Sequence, residues 1–586
     1  MQHLASVLTA DLADARADMA APLQEIERFR RYLQARQPRK DPPWPGASEL
    51  VAPYAKQAIN ALLAEVAPAL LNVAPLARFS CVGDDMDLTG AASAPEQWEE
   101  FYEALYRRKT GFRQTARQWF HRAFIDSTAV LQVTWEARRE WRTAFRMQGR
   151  PYGETALEPV RAVSTVYDWP RFDIIPIEQF TVFPSANANI QQSAGVAARF
   201  EVQARTLLDG ARAGLYSRDA VLKTLELHGA GDGVRSPDDR QHRVGEQNSD
   251  TARVRQTVPL TECYWRMPGK QGDRDEEDDR CPADDWLITL HEPSGTVLRA
   301  HPTPWWHGQR PFVLCRPYPD SGGVLGDSIL SAGAAHVQDA KTVLLRLAID
   351  AMALGINPRL LVAASMYNKA REALVKGNRP GGLIPLPDQM LQQRGPTLQP
   401  LINGYNPQAV IPLLELLDSE SQRIFPDAGA GAQMSGKPTA TEVQQVWEGA
   451  SKVIGAVVEE CADAMGEVLR QSHGLVMQFV GRDSVRQLWQ QVNGTQSLPI
   501  ELAAQSEYDI EANGTSETAN AAVKAARANL VAQVMADEPQ VMGNATRRYH
   551  LKQYVLQRNG VSGRDLDNIM GTVNEWQQED GQAGLS

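Results

Sequence analysis

Residues 326–358 read GDSILSAGAAHVQDAKTVLLRLAIDAMALGINP. Leu330, Val337, Ala340, Leu344, Leu347 and Ala351 advance by sevens, threes and fours. A helix built on them carries a narrow apolar stripe suited to packing against neighbouring helices. Asp327 is the expected N-cap, and Gly355 followed by Asn357-Pro358 is a stop signal. About 28 residues at 1.5 Å each make a rod roughly 40 Å long. His336 and Asp339 lie three apart on it, and Arg346 and Asp350 four apart. With no second histidine or convergent carboxylate nearby in sequence, both read as helix-surface pairs rather than as a metal or acid–base site.

Downstream, residues 356–405 form a non-helical insert holding RLLVAAS and the strand-like GGLIPLP (381–387). A second helix follows in PQAVIPLLELLDSESQRIF (407–425), then a glycine-rich stretch. Thr439 and Glu442 make a T-x-x-E capping box. From it Val443, Val446, Trp447, Ala450, Val453, Ile454, Val457, Cys461, Met465, Val468 and Leu469 keep one apolar face to about Val480. Roughly 40 residues there give a helix near 60 Å long. SEYDIEANG (506–514) reads as a strand, and helices are expected near 516–536, 544–558 and 562–576.

Upstream, residues 50–72 and 96–127 show helical spacing. AVLQVTWEA and RFDIIPIEQFTVFPSA alternate and are rich in Val, Ile, Thr and Phe, which marks strands. Residues 229–256 and the acidic run GDRDEEDDRCPADD (272–285) read as exposed loops, the latter lacking a calcium-loop pattern. Trp305 and Trp306, in PTPWWHGQRPF, read as a packed loop. The fold class is therefore α+β, predominantly helical, and 586 residues exceed a single core.

The formal charge of −11 argues against a protein that grips DNA phosphates over a broad surface. Five scattered cysteines without C-x-x-C imply reduced thiols. The N-terminus reads as an amphipathic helix rather than a signal peptide, and no run of eighteen apolar residues offers a membrane span.

One motif demands a decision. GAQMSGKPTAT (431–441) nearly spells a phosphate-binding loop, with Gly431, Gly436 and Lys437 correctly spaced. Pro438 takes the position of the Mg²⁺-binding hydroxyl, supplies no N–H and disfavours the turn into a helix at Lys437. No buried strand precedes it and no acidic Walker B strand is found, so a P-loop-like nucleotidase or packaging motor subunit is the weaker alternative. GDSIL does not match the hydrolase elbow G-x-S-x-G either. No catalytic residue, cofactor or metal is expected.

The ordered set WPGASELVAPY (44–54), IIPIEQFTVFPSA (174–186), GDSILSAGAAHVQDAKTVLLRLAIDAM (326–352), GGLIPLP and TATEVQQVWEGASKVIG (439–455) resembles the portal proteins of tailed bacteriophages, or head-to-tail connectors, most like those of short-tailed and related phages. The resemblance implies a portal-type fold: an N-terminal helical and β-containing wing (1–325), a first stem helix (326–355), a clip (356–405) and a second stem helix (406–425). A tunnel loop (426–438), a long wing helix with its closing strand (439–515) and a helical crown (516–586) follow. It implies a non-enzymatic dodecameric ring at the capsid portal vertex of the virion, assembled in the host cytoplasm, through which viral double-stranded DNA is packaged and ejected. Expected partners are the terminase large subunit, the head-tail adaptor, and the major capsid and scaffolding proteins. Gly431, Gln433, Met434, Ser435, Gly436 and Lys437 would form the loop nearest DNA. Asp339, Arg346 and Asp350 would lie on the stem, the last two at best facing the channel. Gly382, Leu383, Ile384 and Leu386 would make clip contacts, their strand pairing with a neighbouring subunit or closing a simple surface hairpin.

Overall fold

The computed structural model describes residues 2–34, 39, 41–81, 94–149, 155–184, 189–230, 257–267, 284–319, 323–356, 358–364, 383–386, 398–401, 410–424, 440–494, 508–512 and six positions between 548 and 556. In chain order come α1 (Gln2–Leu33), α2 (Tyr54–Leu71), β1 (Ala77–Cys81), α3 (Ala94–Ala104), α4 (Phe112–Asp126), β2 (Ala129–Gly149) and β3 (Thr155–Ile175). Then follow β4 (Phe180–Phe183), β5 (Gly195–Gln203), α5 (Ala204–Arg212), α6 (Arg218–Ala230), β6 (Thr257–Met267), β7 (Asp284–His291), β8 (Thr296–Pro302) and β9 (Phe312–Cys315). The remainder is α7 (Ala335–Ile356), β10 (Arg359–Ala363), β11 (Leu383–Leu386), β12 (Leu398–Leu401), α8 (Val410–Ile424), α9 (Ala440–Gln478), α10 (Asp483–Asn493) and β13 (Tyr508–Ala512). Helices and sheets are both extensive, as an α+β chain requires.

The largest core gathers α2, α3, α4, α9 and α10. Its centre is aromatic: Trp98 meets Trp489 edge-on at 4.8 Å between centroids, and Tyr102 stacks on Phe79 and Tyr106. Such pairs add about 1 kcal/mol each beyond area burial. The stretch 96–127 is not one helix. A π-turn at Leu105–Lys109 and Gly111 at φ 65° break it, so α3 and α4 can turn against each other around Phe112. α9 runs 39 residues, its apolar face buried from Val457 through Val476. The closing strand β13 pairs antiparallel with β1. The capping residue Thr439 and the expected helices at 516–536 and 562–576 lie outside the described residues. Within 544–558 the described positions are helical.

Strands β4 to β8 form an antiparallel sheet in the order β4-β5-β6-β7-β8, covered on one side by α1 through Leu8, Leu12, Ala15 and Ile26. The exposed-loop reading of 272–285 fails at its end. Asp284 and Asp285 begin β7, and Asp285 is bound by Arg310. The Arg310 side chain, fully buried, donates to both Asp285 oxygens at 3.0 and 3.1 Å, to the Ile190 carbonyl, and to the hydroxyl and carbonyl of Ser193. A buried guanidinium is tolerable only when its donors are satisfied in this way. Trp305 packs against the cores while its neighbour Trp306 is exposed.

Two expectations about the rod at 326–356 are corrected. It starts as a π-turn at Leu330–Ala334, kinked by Gly333 at φ 131°, and becomes α-helical only at Ala335. Asp327 is not its cap: Asp327 N–H bonds the Tyr318 carbonyl, and the Ser328 hydroxyl accepts the Leu330 N–H at 3.2 Å.

Candidate functional site

Helix α7 is inverted in its second half. Leu330 and Val337 of the expected stripe are buried, but Leu347 is open to solvent, as are Val343, Ile349, Met352 and Ile356. The buried positions are Gln338, Thr342, Arg346 and Asp350. These four polar residues recur every fourth position, which places them on one line of the helix surface.

What lies on that line is the chain's own N-terminal segment, running extended along α7. The Asp350 carboxylate accepts the Ser48 N–H at 2.8 Å and a bond from Arg39. Arg346 donates through Nε to the Leu50 carbonyl at 2.8 Å and through Nη2 to the Glu49 carbonyl. One turn earlier the Thr342 hydroxyl takes the Ala52 N–H, and the Gln338 side-chain oxygen takes the Ala55 N–H at 2.9 Å. Gln338 Nε2 donates to the Tyr32 carbonyl, and Tyr32 donates its hydroxyl to Asp339. Burial, with the Asp339 bond second, raises the Tyr32 phenol above its usual range and keeps it a donor. The extended backbone around Ser48–Ala52 and the first turn of α2 at Ala55 have no internal partners for these groups, so a period-four polar ladder supplies them. Arg346 and Asp350 are thus turned inward onto the N-terminal segment, and Asp339 is the acceptor of Tyr32. Gln338, Thr342, Arg39 and Ser48 were missed, although the period-four polar series was visible in the sequence.

Farther back, α1 ties the same segment to the sheet side. Arg30 bonds both oxygens of the buried Asp126 at 2.7 Å, and Arg16 bonds Glu292 at the β7–β8 turn. The N-terminal 55 residues therefore connect the five-stranded sheet to α7.

Helix α8 packs beside α7, joined by the ion pair Lys341–Asp418, and Lys341 also sits 4.5 Å from the Tyr54 ring centroid. It too leaves Ile411, Leu413 and Leu416 exposed. Between the two helices, β10 pairs with β11 in parallel and with β12 antiparallel. Leu383, Ile384 and Leu386 are in β11 at the edge of that three-stranded sheet, so their strand finds a partner in its own chain on one side, and β10–β11 is no hairpin. Gly382 and the loop residues Gly431, Gln433, Met434, Ser435, Gly436 and Lys437 lie outside the described residues. Among the described residues no group of three or more His, Cys, Asp or Glu is placed to hold a metal. None of their helices is long and apolar enough to cross a membrane.

Helices α7 and α8 thus have open apolar side chains, a small sheet lies between them in the chain, and the very long α9 follows. The profile of the phage SU10 portal protein family matches residues 152–580. The chain belongs to that family. It is a tailed-phage portal protein, a head–tail connector of the capsid vertex and a capsid-associated oligomer. The match begins after α1–α4, so the family assignment does not rest on the N-terminal segment that the ladder holds. No curated protein matches the chain.

Proposed function

We propose that this portal protein closes into a dodecameric ring whose α7 and α8 helices stand side by side around a channel for viral double-stranded DNA, serving both packaging and ejection. The observation that carries the reading is the inverted face of α7 together with that of α8. Eight apolar side chains, from Val343 to Ile356 and from Ile411 to Leu416, are 40 to 75% exposed. Covering what is exposed returns about 1 kcal/mol for each, or roughly 8 kcal/mol per subunit as an upper bound. Apolar side chains left open in this number mark an interaction site, and a ring lets each copy cover its neighbour's with a different face of its own.

In this reading the β10–β12 sheet is the clip that meets the terminase large subunit and later the head-tail adaptor. Residues 426–438 form the loop toward DNA, α9 braces that loop from the wing, and residues 516–586 form the crown inside the head. The major capsid and scaffolding proteins surround the wing. The net negative charge suits a conduit, because each phosphate neutralised by the wall adds counterion-release affinity and slows the polymer.

Negative-stain imaging of the purified chain tests the assembly. Annular particles with a central hole are expected, and the variant Leu347→Glu/Met352→Glu is expected to stay monomeric while keeping its helical content. Compact particles without a hole from the unaltered chain would refute the ring. Full assembly by the variant would refute the role of the α7 face.

A further inference from the structure

Strands β2 and β3 are paired from Val130↔Ile175 to Gly149↔Thr155, yet β9 covers only Ala129–Gln132 of β2. The rest is a two-stranded ribbon. At about 3.4 Å per residue, Trp141 stands roughly 30 Å beyond the last residue that β9 pairs. Ribbons of two strands are marginal in water unless something packs on them. The base has such cover, with Trp135 against Phe479 at 4.6 Å between centroids. Past the bulge at Arg138/Arg139 the cover thins to a cleft that Arg139 and Thr165 share with Arg108 and Asp483.

Beyond it, three register pairs share one face: Arg139↔Thr165, Trp141↔Val163 and Thr143↔Arg161. All six residues are exposed, Trp141 to 70% and Val163 to 54%. Among the described residues neither Arg139 nor Arg161 has an ion pair, whereas Arg138 and Arg171 do. The face is therefore an exposed indole beside a valine, bracketed by two unpaired guanidiniums. Tryptophan and arginine are the residues that most often dominate protein interfaces.

A surface with the opposite pattern lies along α3. A groove of about 800 Å³ has Pro75, Ala104 and Val492 among its lining and is edged by Glu96, Glu100 and Glu103. Arg107 and Arg108 also line it, but Arg107 is held by Glu103, and Glu96 and Glu100 are exposed carboxylates without an ion pair among the described residues. Glu99 between them has its carboxyl raised by burial, which the Glu96 charge reinforces against the pull of the Phe79 N–H and Arg78. Glu96 to Glu100 spans about 6 Å of helix, and Arg139 to Arg161 about 14 Å of ribbon. The two long arginine side chains, each bending inward by about 4 Å, absorb that difference.

We propose that the Trp141–Val163 face of the ribbon docks into the α3 groove of an adjacent copy of this chain, with Arg139 and Arg161 meeting Glu96 and Glu100. A second copy is the occupant because the two surfaces are complementary in charge, while the ribbon carries Trp141 about 30 Å out from the strands that β9 covers. One donor face and one acceptor face per copy is what a head-to-tail ring needs. This contact rests on the ring reading and adds to it a second interface, in the wing, independent of α7 and α8.

The test is a charge exchange on the full chain, read as ring yield by mass photometry and imaging. Arg139→Glu/Arg161→Glu and Glu96→Arg/Glu100→Arg are each expected to lower ring yield at least tenfold at fixed concentration. The two pairs combined are expected to restore it to within about threefold of the unaltered chain. Trp141→Ser, which changes no charge, is expected to give the same loss as either reversal. Rings that form normally in both reversed variants would overturn this contact and leave the ring reading intact. An unaltered chain that forms no rings would instead sink the ring reading. Loss without rescue, accompanied by weaker binding of a duplex DNA probe to the arginine variant, would assign the ribbon to nucleic acid and overturn the proposal.

Discussion

Replacing Asp350 by alanine probes whether the ladder on α7 holds the N-terminal segment as the geometry states. The carboxylate is buried and is the acceptor of both the Ser48 N–H and Arg39, whose side chain is 17% exposed. Breaking a buried charge pair costs ~3–5 kcal/mol when the orphaned partner stays dry. Arg39 can turn to water, which removes its share, and what remains is an unsatisfied N–H and a lost charge-assisted bond, together ~2–3 kcal/mol. The other rungs, at Gln338, Thr342 and Arg346, are unchanged, so the cost falls on local release of residues 39–50 and not on global unfolding. At 1.36 kcal/mol per decade, the released population rises about 100-fold. Trypsin cleavage at Arg39 reads that population directly when cleavage is slow compared with reclosing. Cleavage should therefore be about 100-fold faster in Asp350→Ala, and unchanged in a control at the exposed His336, His336→Ala. An acceleration under threefold would show that Asp350 does not hold the segment and would refute the ladder as an energetic unit.

Two further outcomes follow from buried charges. Arg310→Met leaves Asp285 in the interior with only Arg266 at 3.6 Å, and should cost about 3 kcal/mol in urea unfolding; adding Asp285→Leu should return part of that loss, and no recovery would deny the coupling. His473, buried among Trp98, Tyr102 and Phe79, and His307 are each pushed down by burial to about 4, below the usual 6.5. The unfolded chain binds protons on these rings first, so their contribution to stability is whole above pH 6.5 and is lost as pH falls toward 4. For His473 the loss by pH 4.5 is about 3 kcal/mol, and His473→Gln should flatten the urea midpoint profile over that window; an unchanged profile would contradict the burial.

The helical parts were legible where a period and a terminator coincide. α9 begins at Ala440 and from Ile454 onward keeps the apolar face that its sequence shows, because a 39-residue helix packed along a core has little freedom to shift its register. The β-ribbon was legible only in its first half. Residues 138–149 carry four arginines and no clean alternation, and their strand state follows from pairing with β3, which a strand cannot declare alone. The helical spacing over 96–127 is realised as α3 and α4, and only the fold shows the π-turn and Gly111 between them, where Phe112 packs on Tyr106. Asp285 looked like the end of an exposed acidic run and became a buried anchor because Arg310, 25 residues away in sequence, reaches it through the fold.

Sequence alone determined that this chain is an α+β protein with two helices flanking a short insert and a very long helix behind them, and that it resembles phage portal proteins. Local periodicity is enough for that, because turn and cap chemistry act over a few residues. Only the tertiary structure decided which side of α7 is inside. Its sequence offers an apolar stripe and a polar stripe, and hydrophobicity alone favours burying the first. The structure buries Gln338, Thr342, Arg346 and Asp350 instead, because an extended segment from 300 residues upstream brings backbone groups that must be bonded. The apolar side is thereby left for another chain to cover.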